Sequence, residues 1–126
     1  MMRTPVGLLA VAVLAAAAGG CAKQEPQVSF AKDVQPLLDA RCSACHVPGQ
    51  AGYEASGLGT GNYEALMKGT KFGPVVIPGD ALSSALNMLV EGRADPSIRM
   101  PHGDQPLTAA EQKTLRLWVE QGAKNN

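Results

Sequence analysis

The chain has 126 residues, no formal net charge at pH 7, 14 glycines, nine prolines, and only one Trp, two Tyr and two Phe. Its length allows one small domain and excludes a second, and its balanced charge without a basic stripe argues against a nucleic-acid-binding surface. A core with so few aromatic side chains needs support from disulfides, a metal or a buried cofactor.

The start of the chain has the pattern of an export segment. Arg3 precedes an apolar run over 6–18, and two glycines follow before Cys21. The run is too short for a comfortable membrane-spanning helix, and the whole pattern resembles a bacterial lipoprotein signal peptide. We predict a signal peptide over 1–20, lipidation at Cys21 and a lipidated tether over 21–28 that attaches the protein to a membrane. In the alternative, Cys21 is an unmodified residue at the flexible start of a soluble protein.

A helix is predicted after this tether. Ser29 is a residue type that caps helices, and Pro36 predicts a bent or two-part helix that ends near Arg41. Its apolar positions recur at helical spacing and are Phe30, Val34, Leu37 and Leu38. The segment 48–61 contains five glycines and no periodicity, so we predict a long loop.

Between that helix and the loop lies the sequence Cys42-Ser43-Ala44-Cys45-His46. This C-x-x-C-H pattern is typical of covalent haem attachment, in which each thiol adds to one vinyl group of the haem. The short spacing brings both sulfurs to one edge of the porphyrin and places His46 beneath the iron as the proximal ligand. We predict one haem c bound covalently at Cys42 and Cys45.

Two other chemistries use a C-x-x-C pair. A zinc site needs further ligands, and the only other histidine is His102. A thioredoxin-like dithiol begins a helix that follows a strand, whereas this motif follows a helical pattern. Covalent haem attachment takes place outside the cytoplasm, so the export segment and the motif support each other.

Three more segments follow before the last helix. Asn62 is predicted to cap a short helix that ends at Gly69, and 73–79 is predicted to be a short strand or the extended wall of a pocket. Asp80 precedes an amphipathic pattern that Gly92 ends. The apolar positions of that pattern are Leu82, Ala85, Leu86, Leu89 and Val90.

The final helix opens with a capping box, Thr108 to Glu111. Its apolar stripe consists of Leu115, Trp118 and Val119. We predict that Trp118 packs against Phe30 rather than against a haem edge.

Over 28–123 the chain resembles a class I c-type cytochrome, in a lipoprotein form. A helix precedes C-x-x-C-H, and the second half carries Pro78-Gly79, Ser84, Met100-Pro101, Leu107, Trp118 and Gly122-Ala123. The resemblance implies an all-α, cytochrome c-like fold in which three to five short helices and long loops surround one covalently bound haem. It also implies a monohaem cytochrome c domain over 29–124.

The resemblance, together with a position in a loop before Pro101, makes Met100 the predicted second axial ligand of the iron. Met67 and Met88 lie in predicted helices, where core or surface packing is the simpler role. His102 remains an alternative ligand, although a lone histidine in a polar loop is more often solvated.

Ligation by His46 and Met100 leaves no open position on the iron, which favours electron transfer. We predict an electron carrier, not an enzyme, that exchanges electrons with redox protein partners in the bacterial periplasm or cell envelope. The alternatives are a permanently docked electron-entry subunit of a dehydrogenase or oxidase, and a haem-based enzyme or ligand sensor with a displaceable distal ligand.

Overall fold

The computed structural model describes Met1 and residues 24–126, so most of the predicted signal peptide and the predicted lipidation site Cys21 lie outside the described residues. A π-helical turn over Phe30–Val34 continues directly into α1 (Gln35–Arg41). The remaining helices are α2 (Ala51–Ser56), α3 (Tyr63–Lys68), α4 (Ala85–Val90) and α5 (Ala109–Glu120), with a 3-10 turn at Pro96–Ile98.

The all-α prediction is confirmed, because no strand is formed in the part of the chain that the structure describes. A single antiparallel bridge pairs Thr70 with Gly73. Within 24–126, none of the helices has the length and apolar character needed to cross a membrane.

The first helix has the predicted two-part form. The Ser29 side chain accepts a hydrogen bond from the Lys32 backbone N–H and caps the π-helical turn. Pro36 lies at the start of α1, where the π-helical turn gives way to α-helical geometry. Helical geometry then continues to Arg41, as the sequence predicted.

Two further predicted caps are confirmed. The Asn62 side chain accepts a hydrogen bond from the Ala65 N–H at the start of α3. At the start of α5, Thr108 and Glu111 exchange side-chain and backbone hydrogen bonds in a complete capping box. The Glu111 pKa is held below its usual value, chiefly by the hydrogen bond from the Thr108 backbone.

The predicted loop over 48–61 is wrong in part, because it contains α2. The helix is only six residues long. A contact with a residue outside it stabilises it, because the Tyr53 N–H donates to the Cys45 carbonyl over 2.9 Å. A short Gly- and Ala-containing helix of this kind has no apolar periodicity, and tertiary contacts decide whether it forms.

The predicted start of α4 is also wrong. Asp80 does accept a hydrogen bond from the Ser83 N–H, but that turn stops and α4 begins afresh after Ser84. Leu82 therefore lies outside the helix and is 69% exposed. The segment 73–79 forms no strand. The Ile77 N–H donates to the Ser84 hydroxyl over 2.8 Å, and the Ile77 carbonyl accepts from the Asp80 N–H over 2.9 Å.

The core lies between the two ends of the domain. The Phe30 ring centroid lies 5.2 Å from that of Tyr63 and 5.5 Å from that of Trp118. Trp118 is 1% exposed and its indole N–H donates to the Lys124 carbonyl. The predicted packing of the first helix against the last is thereby confirmed.

The segment before the first helix is bound along α5. The Gln121 side-chain amide donates to the Pro26 carbonyl over 2.9 Å and accepts from the Val28 N–H over 2.8 Å. Lys113 Nζ lies 3.2 Å from Glu25 Oε1. Further along, Asn126 accepts a hydrogen bond from the Phe30 N–H. Both ends of the described domain are therefore held together.

Candidate functional site

The motif Cys42–His46 forms a closed turn at the end of α1. The Cys42 N–H donates to the Leu38 carbonyl over 2.8 Å, which completes the last turn of the helix. The N–H groups of Cys45 and His46 then both donate to the Cys42 carbonyl, over 3.1 Å and 3.0 Å. Both cysteines are free thiols in the structure, so each sulfur is available for another bond.

Residues beyond the motif fix its backbone. The His46 carbonyl accepts hydrogen bonds from the Thr60 N–H over 2.8 Å and from the Thr60 hydroxyl over 3.1 Å. Thr60 is 1% exposed, and its hydroxyl also lies 3.1 Å from that of Ser43. Together with the Tyr53–Cys45 bond, these contacts hold the turn from α2 and from the segment after it. The sequence analysis did not identify Thr60.

The environment of Cys42 favours the protonated thiol over the thiolate. Burial, partly opposed by the positive charge of Arg41, raises the Cys42 pKa to about 11. A catalytic dithiol requires the opposite shift, because the thiolate is its nucleophile. The environment of Cys42 therefore disfavours the redox-dithiol alternative.

The imidazole of His46 is kept neutral. Burial lowers the His46 pKa, with a smaller opposing effect of the Leu58 backbone, and the neutral ring is the form that binds a metal. Its Nδ1 is buried and has no hydrogen-bond partner among the described residues. A built Cβ at Gly52 would lie 3.1 Å from Nε2 of the same ring, so α2 packs directly on the imidazole.

A zinc site at this turn would need further ligands besides the two cysteines and His46. In residues 24–126, no cluster of three or more His, Cys, Asp or Glu side chains could hold a metal ion.

The candidate distal ligands differ in their surroundings. Met100 is half-buried, its side chain packs against the core, and its N–H donates to the Leu89 carbonyl of α4 over 3.2 Å. Met67, on α3, also packs against the core. Met88 is half-buried on α4, and His102 is exposed. Met100 is thus the member of this group that combines a loop position with contact to the core.

Arg41 connects the motif to the loop that carries Met100. Its guanidinium donates to the Gln105 carbonyl over 2.6 Å and to the Pro106 carbonyl over 3.3 Å. Arg41 Nε also lies 3.7 Å from Glu111 Oε1 at the start of α5. The residue directly before Cys42 therefore holds the far end of the Met100 loop.

Several half-buried apolar side chains pack against the core. They are Leu37, Cys42, Leu58, Tyr63, Met67, Ala85, Met100 and Leu117. One of the two motif cysteines and two of the three candidate methionines are among them. Two shallow surface depressions lie elsewhere, one along 24–27 and α5 and the other beside Phe30 and Tyr63.

Comparison with known proteins gives one likeness in fold. No family model matches the chain, and no curated protein matches it. Among solved structures it is similar to the Kuenenia stuttgartiensis hydrazine synthase, with a TM-score of 0.52 and 21% sequence identity. The match covers 76% of this chain and 16% of the hydrazine synthase chain, so this chain spans a small part of that protein. At this identity the likeness supports the fold alone.

The contact between Gly52 and the motif leads to a first prediction. A Cβ at this position would lie 2.8 Å from the Cys45 carbonyl oxygen and 3.0 Å from Cε1 of the His46 ring. Gly52→Ala should therefore lower the free energy of unfolding by about 1–2 kcal/mol, since overpacking outweighs the helical preference for Ala. Denaturant unfolding of the matured protein measures this change.

Gly61→Ala is the matched control. A Cβ at Gly61 would have only Val47 Cγ1 as a neighbour, at 3.9 Å. This variant should unfold with the native free energy or be stabilised by about 0.4–1 kcal/mol. Equal effects of the two substitutions would show that α2 does not press on the motif.

Proposed function

We propose that this chain is a lipid-anchored class I c-type cytochrome that transfers single electrons in the bacterial cell envelope. The observation that carries the proposal is the Cys42–His46 turn, in which two free thiols and a neutral imidazole are held by α2 and Thr60. The proposed cytochrome c domain comprises 29–124, and one haem c is bound through Cys42 and Cys45.

The residues present fit this cofactor. Two thiols separated by two residues suit two thioether bonds, and the adjacent His46 supplies a neutral nitrogen ligand. In metal-binding histidines the ring nitrogen that does not bind the metal donates a second hydrogen bond that orients the ring. The buried Nδ1 of His46 has no partner among the described residues. Cys42 and Met100 are both among the half-buried side chains that pack against the apolar core.

The haem, when bound, supplies one-electron oxidation and reduction of its iron. Two side chains would hold its iron, His46 from a closed turn and Met100 from a loop held at both ends. Donors fixed in this way change little between oxidation states, which favours a carrier of electrons over a binder of small ligands.

The proposal extends to the location and the partners of the protein. A signal peptide over 1–20 and lipidation at Cys21 would place the domain on a bacterial envelope membrane. Its donor and acceptor would be other redox proteins. The balanced charge of the chain supports docking through local patches over long-range steering.

A spectrum of the matured protein tests the function. Protein produced with a c-type maturation system should retain haem staining after denaturing electrophoresis, and the oxidised form should show the near-infrared charge-transfer band of methionine sulfur on iron. Covalent haem without that band, together with rapid cyanide binding, would favour the enzyme or sensor alternative. The absence of covalent haem would refute the cytochrome proposal.

The contacts of Arg41 lead to a second prediction. Arg41→Ala removes the hydrogen bonds to the Gln105 and Pro106 carbonyls, and bonds from a charged donor contribute about 1.5–3 kcal/mol. The Met100 loop should then open more often. Imidazole should bind to the oxidised protein about tenfold or more tightly, because each 1.4 kcal/mol is a factor of ten. A spectroscopic titration measures this affinity.

Gln121→Ala controls for a general loss of stability. Gln121 also makes two hydrogen bonds to backbone groups, the Pro26 carbonyl and the Val28 N–H, and neither lies in the loop that carries Met100. It should leave the imidazole affinity near the native value. An equal gain of affinity in both variants would mean that Arg41 acts only through overall stability.

A further inference from the structure

We propose that Ser43 and Thr60 form a hydrogen-bonded relay that holds His46 in position as an iron ligand, so that both are positioning residues of the redox site. The inference rests on the proposed covalent haem and on His46 as its proximal ligand. Its own basis is a set of contacts behind the Cys42–His46 turn that the C-x-x-C-H pattern does not require.

The backbone of His46 is held from two sides. Its N–H donates to the Cys42 carbonyl over 3.0 Å, within the turn itself. Its carbonyl accepts two hydrogen bonds from one residue, from the Thr60 N–H over 2.8 Å and from the Thr60 hydroxyl over 3.1 Å. Two donors on one carbonyl leave the peptide plane after His46 little freedom to rotate. The direction of the imidazole then depends on its side-chain torsions alone.

The hydrogen bonds of this group run in one direction. The Thr60 hydroxyl has a single proton, and it donates that proton to the His46 carbonyl, which can only accept. Ser43 Oγ lies 3.1 Å from Thr60 Oγ1, so the proton between these two oxygens belongs to Ser43. Ser43 therefore donates to Thr60, and Thr60 donates to His46. Hydrogen bonds in such a chain polarise and strengthen one another.

Helix α1 supports the relay from behind. Gln35 Nε2 donates to the Thr60 carbonyl over 3.0 Å and to Asp39 Oδ1 over 2.8 Å. Asp39 Oδ1 lies 3.5 Å from Ser43 Oγ, so the nearer Thr60 oxygen is the better acceptor for the Ser43 proton. The π-helical turn ends directly before Gln35, and π-helical turns frequently mark functional sites.

Burial makes these contacts effective. Thr60 is 1% exposed, so water does not compete for its hydroxyl, and hydrogen bonds are stronger in such surroundings. On the other side of the motif, α2 packs on the imidazole at Gly52. The backbone of His46 is thus fixed by Thr60 while its ring is confined by α2. Groups behind a metal ligand fix its orientation and tune the metal in this way.

Thr60→Val tests the relay, because it keeps the backbone N–H and the shape of the side chain but removes the hydroxyl. It is made in the Met100→Ala background, in which carbon monoxide can bind. The readout is the iron–histidine stretching band in the resonance Raman spectrum of the ferrous protein after photodissociation of carbon monoxide. The band should move to lower frequency and broaden, because a less well directed imidazole binds iron more weakly. Thr60→Ser, which keeps the hydroxyl, should restore the native band.

Ser84→Ala is the matched control, made in the same background. Ser84 is 0% exposed, and its hydroxyl accepts from the Ile77 N–H over 2.8 Å and donates to the Asp80 carbonyl over 2.7 Å. Like Thr60→Val, it removes a buried hydroxyl that binds the backbone, so both variants should unfold at lower denaturant concentration. Ser84→Ala should leave the iron–histidine band unchanged. Equal shifts of the band in both variants, or a native band in Thr60→Val, would overturn the positioning role.

Ser43→Ala keeps the test decisive if Thr60→Val does not fold. It removes the donor to the Thr60 hydroxyl but leaves the bond from Thr60 to His46 in place. The iron–histidine band should therefore shift in the same direction as in Thr60→Val, by a smaller amount. A native band in Ser43→Ala would show that Ser43 takes no part in the relay.

Haem staining of each preparation separates this inference from the proposal on which it rests. A native protein without covalent haem contradicts the proposed function. Covalent haem with no iron–histidine band contradicts His46 as the proximal ligand. Covalent haem with the native band in both Thr60→Val and Ser43→Ala contradicts only the relay.

Discussion

Cys42→Ala combined with Cys45→Ala should yield a chain with no covalently bound haem. The two thiols lie on one closed turn, and in the described residues they are the only cysteines. The third cysteine of the sequence, Cys21, is far from the motif along the chain and lacks a partner at the required spacing. Haem staining after denaturing electrophoresis should therefore fall from full intensity to none.

Cys21→Ser is the matched control for this loss. It removes a cysteine but leaves the attachment turn intact, so the protein should keep its haem and leave the membrane fraction. Haem staining that survives in the double Ala variant would show that the site assignment is wrong. Tight membrane association of Cys21→Ser without acyl mass would contradict the proposed anchor.

Met100→Ala should keep its haem and lose its distal ligand. Covalent attachment depends on the cysteines, whereas a thioether ligand raises the reduction potential of haem iron. The variant should have a lower reduction potential and no methionine charge-transfer band. Cyanide and carbon monoxide should bind far faster than to the native protein. Redox titration and stopped-flow spectroscopy measure these changes.

Met67→Ala tests the same chemistry at another core-packed methionine. Loss of its packing should lower the free energy of unfolding. A core Met→Ala change costs about 2–5 kcal/mol, and the half-buried position of Met67 predicts a value near the lower end. The variant should leave the charge-transfer band in place. An unchanged spectrum and potential in Met100→Ala would mean that another group holds the iron, with His102 and Met67 as the first candidates.

Local chemistry accounts for what the sequence predicted correctly in the fold. Ser29, Asn62 and Thr108 each cap the helix that follows, because a short polar side chain needs only the next turn of backbone as its partner. Pro36 in the first turn of α1 is equally local. The packing of Trp118 on Phe30 is long-range, and it was predicted from the resemblance to class I cytochromes.

The errors in the fold arise where hydrogen bonds to residues outside a segment decide its local structure. Helix α2 depends on the carbonyl of Cys45, which accepts the Tyr53 N–H from outside the segment. Before α4, Asp80 accepts a hydrogen bond from the Ser83 N–H in a separate turn, and the Ser84 hydroxyl accepts the Ile77 N–H where that turn ends. Neither contact follows from the apolar periodicity on which the predicted helices depend.

The candidate site also has a part that the sequence predicts and a part that only the structure shows. Cys42, Cys45 and His46 can be recognised from the sequence because covalent haem attachment requires two thiols and a histidine at this spacing. Thr60 and Gly52 support the motif from 14 and six residues beyond His46, and only the folded chain shows that they contact it. A threonine between two glycines is the only clue that the sequence offers, and threonine is too common to be decisive.

The pairing of the two ends of the domain sets an order of events during biosynthesis. The N–H groups of Val28 and Phe30 find their partners on Gln121 and Asn126, which are 93 and 96 positions away. Such distant contacts close only after the last helix is present. In an exported chain that emerges from its N-terminus, the Cys42–His46 segment would thus leave the translocation channel well before the domain can close. Enzymes that attach a cofactor there would meet an open polypeptide, and folding would complete around the product.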